Sequence, residues 1–188
     1  MFSSRRLVNH DYSAPGFYFV TACSDFKRCT FGSVEKGAVR LSKLGKIVEE
    51  AWMALTTHFS GICLHGHMVM PNHVHGIVQI CPGGRAQQAA PLQRAASREV
   101  ETRQAPTLST IVRAFKAEVT RRAGRELGWS REIWQHNYYD RVIRDGREFS
   151  NAIRYITENP VRWQGQRDRM TADKKAKKRT ETMCHGTD

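Results

Sequence analysis

The run lengths and periods of apolar residues divide the chain into a short series of strands and helices. Phe17-Tyr18-Phe19-Val20-Thr21-Ala22-Cys23 is a dense run of β-formers and predicts a central strand. Phe31-Gly32 and Lys36-Gly37 punctuate a short hairpin that ends near Val39 to Leu41. Ser42 is a candidate N-cap. After it Leu44, Ile47, Val48, Ala51 and Leu55 recur at helical spacing, predicting an amphipathic helix to about His58. Residues 62–70 and 72–80 are two more β runs that meet at Pro71-Asn72, as one bent strand or a tight hairpin. A second helix starts around Thr107, carries Leu108, Ile111, Val112, Phe115 and Val119 as its apolar stripe, and closes at Gly128. Residues 134–143 are aromatic and β-branched, hence extended. Asp145-Gly146 then turns into a third helix, from 147 to about 158, with Phe149, Ile153 and Ile156 as its buried stripe. Asn159-Pro160 ends or kinks it, since a proline removes a helical donor and biases the residue before it away from helical angles.

Three stretches lack a period. Residues 1–16 are polar and turn-rich. Residues 81–106 combine Gly83-Gly84 with Ala, Gln and scattered charges, a composition that buries too little to offset its ordering entropy and so predicts a mobile loop. Residues 164–188 form a basic tail with Lys174-Lys175 and Lys177-Lys178-Arg179, predicted to be disordered. The expectation is one domain over 1–163, with 81–106 as a loop insertion.

The strand over 72–80 carries the first candidate chemistry. Val74, Val78 and Ile80 suit a core, and side chains alternate across a strand, so His73 and His75 share the opposite face. Two imidazoles at that spacing can converge on one metal ion. The third helix carries the second. Tyr155 sits roughly 120° round from the apolar stripe, at about 100° per residue. Asn159 lies one turn further on the same side. If this helix packs near the strand, a phenol and an amide face the two histidines together.

Charge narrows the class of partner. The 188 residues carry a net charge of +12, and the pI is about 9.9. This balance points to a polyanion, most commonly nucleic acid, and by itself to no chemistry. An apolar fraction of 40% and a mean hydropathy of −0.56 suit a soluble globular domain. The five cysteines, Cys23, Cys29, Cys63, Cys81 and Cys184, form no CxxC pair and suit reduced thiols of a cytosolic protein. The beginning has no apolar signal core, and no run approaches membrane-spanning length. The expected compartment is the cytoplasm, with no membrane partner.

Four motifs in order resemble one family. Pro71-Asn72-His73-Val74-His75 resembles the His-hydrophobic-His (HUH) motif of single-tyrosine transposases. Tyr155-Ile156-Thr157-Glu158-Asn159-Pro160 resembles the tyrosine helix of the REP-associated tyrosine transposases. Asp11-Tyr12-Ser13 with Gly16-Phe17-Tyr18-Phe19-Val20-Thr21 is similar to the group's opening strand, and residues 134–144 to the segment before its tyrosine helix. The resemblance covers roughly residues 5–163. It implies an α/β (α+β) fold, a ferredoxin-like antiparallel sheet with helices on its faces. It also implies cleavage and joining of single-stranded, hairpin-forming DNA through a 5′-phosphotyrosine. Carried over by position, Tyr155 is the nucleophile, and His73, His75 and Asn159 are the metal ligands. The implied ion is Mg²⁺ or Mn²⁺; two imidazoles suit Mn²⁺ or Zn²⁺ better on ligand preference. The expected partner is hairpin DNA bound by a monomer or a homodimer. Candidate phosphate contacts are Arg5, Arg6, Arg113, Lys116, Arg121, Arg141, Arg144, Arg154 and Arg162.

Plainer readings stand beside these. A His-x-His arises by chance, and His65-Gly66-His67 repeats the spacing without the Pro-Asn lead-in, as an incidental or supporting feature. Tyr138 and Tyr139 are rival nucleophiles set in what looks like sheet packing. Asn159 before Pro160 also suits a helix C-cap. Each arginine alone suits a solvated surface. A hairpin binder that no longer cuts is the second reading, and the presence of every proposed site residue argues against it. A metal-dependent hydrolase without a covalent intermediate would want nearby carboxylates, and the histidine strand offers none.

Overall fold

A computed structural model describes the backbone of residues 10–82 and 106–183, and the side chains of 10–82 and 106–165. Arg5, Arg6 and residues 83–105 of the expected loop lie outside the described residues. In chain order the elements are β1 (Gly16–Cys23), β2 (Gly32–Glu35), β3 (Ala38–Leu41), α1 (Lys43–Met53), α2 (Leu55–His58), β4 (Ile62–Met70), β5 (His73–Ile80), α3 (Leu108–Leu127), β6 (Tyr139–Ile143) and α4 (Gly146–Met183). The main sheet runs β4-β5-β1-β6, antiparallel throughout, and β2-β3 is a separate hairpin. Setting that hairpin and α2 aside, β1-α1-β4-β5-α3-β6 is the ferredoxin-like order expected.

β1 is central because both its faces are apolar, which is why its run shows no alternation with polar residues. Tyr18, Val20 and Ala22 join Val74, Val78, Trp52, Ile111 and Phe115 in the larger core under α1 and α3. Phe17 and Phe19 join Ile77, Met68, Phe149, Ile153 and Ile156 in a smaller core under α4. Ser42 and Gly128 end their helices as the sequence predicts, with Ser42 Oγ accepting from Gly45 N–H and Gly128 closing α3 at a φ of 61°; Thr107 Oγ1 also caps α3, accepting from Thr110 N–H. Pro71-Asn72 is a tight hairpin turn, with Met70 paired to His73.

Two glycines admit large neighbours against the sheet. A Cβ on Gly76 would meet Trp52 Cζ2 at 2.1 Å, and one on Gly66 would meet Ile153 Cδ1 at 2.7 Å. The indole of α1 thus lies directly on β5 between His75 and Ile77. Gly76→Ala is expected to destabilise the fold by on the order of 1–3 kcal/mol through overpacking. Thermal unfolding checks this; an unchanged Tm would contradict the contact.

Gly66 also sits in a register shift between Leu64 and His67, a β-bulge. The bulge separates the second histidine pair. His65 bonds Gln79 at 2.9 Å and packs on Phe149 of α4, whereas His67 stacks on Trp52 of α1. These two imidazoles face opposite layers.

One boundary departs from expectation. α4 does not end at Asn159-Pro160 but continues through Pro160 to Met183. A proline inside a helix costs roughly 3 kcal/mol. Burial of Asn159 and Pro160 and the docking of the next turn offset that cost. Gly37 N–H donates to Gln164 Oε1 at 2.6 Å, and Val161 lies against Gly37 in the β2-β3 turn.

Candidate active site

The strand register sets the site. β5 presents His73, His75 and Ile77 to the α4 layer, and β1 presents Phe19 and Thr21 beside them, with Thr21 directly opposite His75. The two imidazole rings lie 4.4 Å apart, edge to face. α4 crosses over them. The Tyr155 ring meets His75 at 5.2 Å and Phe19 at 6.0 Å, both edge-on. Trp163, two turns on, meets His73 at 5.8 Å. Residues 155, 159 and 163 are four apart and form one row on a helix. With Tyr155 over one histidine and Trp163 over the other, buried Asn159 lies in the row between them. The tyrosine and the histidine pair meet within a single chain.

Neighbours fix how each imidazole presents itself. Asn72 Nδ2 donates to Lys27 O at 3.1 Å, so its Oδ1 is the atom 2.6 Å from His73 Nδ1 and accepts that N–H. The lone pair of His73 therefore resides on Nε2. Thr21 Oγ1 lies 2.7 Å from His75 Nδ1. His75 is 5% exposed, and its Nε2 is buried with no hydrogen-bond partner. An orphaned buried nitrogen is costly unless something accepts its lone pair. Held at Nδ1 by a neighbouring oxygen, each ring is arranged as metal-binding histidines commonly are. Among the described residues no group of three His, Cys, Asp or Glu gathers into a metal cluster.

Electrostatics agree. Burial, with the Lys27 charge second, holds the His73 pKa down to about 4. Burial, with His73 second, holds His75 well below its ordinary value. Both are neutral at pH 7, as a metal ligand must be. The unfolded chain, with a histidine pKa of about 6.5, binds these protons first as pH falls. Stability is fully present above that value and is lost as pH drops towards 4. For His73 the loss is about 2 kcal/mol at pH 5. Metal-free protein should therefore melt at a lower temperature at pH 5 than at pH 7. A His73→Gln, His75→Gln variant should show a shallower slope, measured by calorimetry.

The predicted basic contacts divide by layer. Arg141 of β6 stands opposite Phe19, on the site's face, and pairs with Glu148 at 2.9 Å; Arg144 reaches the same carboxylate at 3.9 Å. Arg154 and Arg162 are exposed on α4, bonded to Asn151 and Glu158. Arg113, Lys116 and Arg121 belong to α3, which packs on the other face of the sheet. Lys116, an expected phosphate contact, donates to the carbonyls of Gln135 and Asn137 at 2.7 and 3.0 Å and clamps the approach to β6. Arg121 pairs with Glu118 at 2.7 Å.

The rival tyrosines separate in the same way. Tyr138 packs against the α3 side and lies 3.2 Å from Ser109 Oγ. Tyr139 is on the site's face, 44% exposed, opposite Thr21. It stands two strands from His75, roughly 10 Å away by strand spacing, whereas the Tyr155 ring touches that histidine. Thr21, the Asn72 amide and Trp163 are functional candidates that sequence reasoning did not select. Trp163 alone carried a usable signal, at twice the Tyr155–Asn159 interval.

No family model matches the chain. A Haemophilus influenzae protein of uncharacterised function is 34% identical over 167 residues, 86% of this chain and 89% of the relative. The solved structure of a REP-associated tyrosine transposase bound to a REP hairpin superposes with a TM-score of 0.56, at 19% identity, over 86% of this chain and 74% of that one. Among the described residues no helix is long and apolar enough to cross a membrane. The chain belongs to the family of the Haemophilus influenzae protein, and its fold is that of the REP-associated tyrosine transposases.

Proposed function

We propose that this chain cleaves and rejoins single-stranded, hairpin-forming DNA, as a single-tyrosine transposase with Tyr155 as nucleophile. The observation that carries the reading is the Tyr155 ring seated 5.2 Å from His75, whose Nε2 is buried and unpartnered. His73, His75 and Asn159 would hold one divalent cation, Mg²⁺ or Mn²⁺. Bound there, it supplies Lewis-acid polarisation of the scissile phosphate.

Tyr155 Oη attacks phosphorus, and the bond from phosphorus to the 3′ oxygen breaks. That oxygen leaves and takes up a proton as a free 3′-hydroxyl, while the 5′ phosphoryl stays on the tyrosine. Rejoining reverses the step: a 3′-hydroxyl attacks the phosphotyrosine, and the phenol departs. A phenol, ordinarily with a pKa of about 10, leaves more readily than an aliphatic alkoxide, so the stored bond is recoverable without ATP. Thr21 and Asn72 hold the imidazoles in position. Arg141, Arg144, Arg154 and Arg162 surround the same face and would meet flanking phosphates on exchanging their carboxylate or amide partners. The net charge of +12 and the fold neighbour's bound hairpin support the substrate class.

End-labelled hairpin DNA and Mn²⁺ test the reading. The protein should become covalently attached to the strand 3′ of the nick, through its 5′ phosphate. Attachment to the other strand, or hydrolysis with no adduct at any time, would contradict it. Tight hairpin binding with no cleavage under any divalent ion would identify a binder instead.

A further inference from the structure

The turn after β1 has an uncommon backbone conformation. Phe26 and Lys27 are consecutive residues in the left-handed region, at φ of 47° and 53°. Residues with a Cβ rarely adopt it, and two in succession more rarely still. The turn is held from several sides. Lys27 N–H donates to Ser24 O, Arg28 N–H to Asp25 O, and Asp25 N–H to Ile133 O, at 3.0, 3.0 and 2.8 Å. Ser24 Oγ donates to Arg28 O at 2.7 Å. The outcome is a phenyl ring in solvent: Phe26 is 78% exposed, while Phe31 nearby is fully buried. Strain kept in order to expose an apolar ring points to use.

The surroundings say what would use it. The Arg28 guanidinium lies 5.1 Å over the ring and also reaches Asp25 at 3.6 Å. Lys27 is exposed, and its charge is felt by His73. The Asn72 side chain joins the two places directly, bonded to Lys27 O at one end and to His73 at the other. An exposed ring flanked by two cations is how proteins hold single-stranded nucleic acid, with the ring under a base and the cations on phosphates.

We propose that Phe26 is a stacking platform for one unpaired nucleobase of the bound strand, set beside the histidine pair by this turn, with Lys27 and Arg28 on the neighbouring phosphates. The proposal rests on the DNA-processing reading above and adds a recognition site to it.

Fluorescence anisotropy with two DNAs tests it, one hairpin carrying an unpaired flank and the same hairpin blunt. Phe26→Ala should weaken binding of the flanked hairpin about tenfold, leave the blunt hairpin unchanged, and be rescued by Phe26→Trp. Phe26→Gly, which relaxes the turn, should bind as weakly as the alanine variant with a Tm no lower than the parent. Unchanged affinity of Phe26→Ala for the flanked hairpin, or equal losses on both DNAs, would overturn the proposal while leaving the DNA-processing reading intact. Parent protein that binds neither DNA would overturn both.

Discussion

Tyr155→Phe is expected to abolish the covalent DNA adduct and to slow strand cleavage by on the order of a thousandfold or more. The substitution removes one oxygen and keeps the ring, so the edge-on contacts with His75 and Phe19 survive. Hairpin affinity should change little, because the ring keeps its place over the histidine pair. This separates chemistry from binding, and a gel assay beside an anisotropy titration reads both. Residual adduct in this variant would shift attention to Tyr139, the other tyrosine on that face.

His75→Ala is expected to cost cleavage at least a hundredfold and to weaken Mn²⁺ binding in parallel. The buried Nε2 of His75 has no hydrogen-bond partner. Removing the ring removes that orphan, so apo stability should fall less than for an ordinary buried aromatic. Thr21→Val tests the support of the same imidazole. It keeps the shape and removes the oxygen 2.7 Å from Nδ1, and should cost metal affinity roughly 10- to 100-fold. Mn²⁺ titration by electron paramagnetic resonance measures both variants. Unaltered Mn²⁺ affinity in His75→Ala would remove the metal from this site.

Much of this arrangement was legible in the chain, because its causes are local. Alternation alone put His73 and His75 on one face of β5 with Val74 on the other. Helical spacing put Tyr155 and Asn159 in one row, and the caps at Ser42, Thr107 and Gly128 need only their own neighbours. What was not legible depends on partners distant in sequence. The register that sets Thr21 against His75 joins residues 54 apart. A glycine within a strand marks a bulge, but Gly66 gives no local sign of which layers His65 and His67 meet. Pro160 reads as a helix stop or a kink, and contacts from the β2-β3 turn to Val161 and Gln164 go with the helix that continues past it. The cations of α3 show as a polar face in sequence, but which side of the sheet receives the helix is a tertiary matter.

Peptide mapping of the protein–DNA adduct tests the shared site most directly. After the DNA is trimmed to a nucleotide and the protein digested with trypsin, cleavage at Arg154 and Arg162 isolates residues 155–162, whose one tyrosine is Tyr155, from the peptide with Tyr138 and Tyr139. The nucleotide mass should fall on 155–162, and only when Mn²⁺ and both histidines are present. The same mass on the peptide holding Tyr138 and Tyr139, or on 155–162 in a His73→Ala, His75→Ala protein, would contradict it.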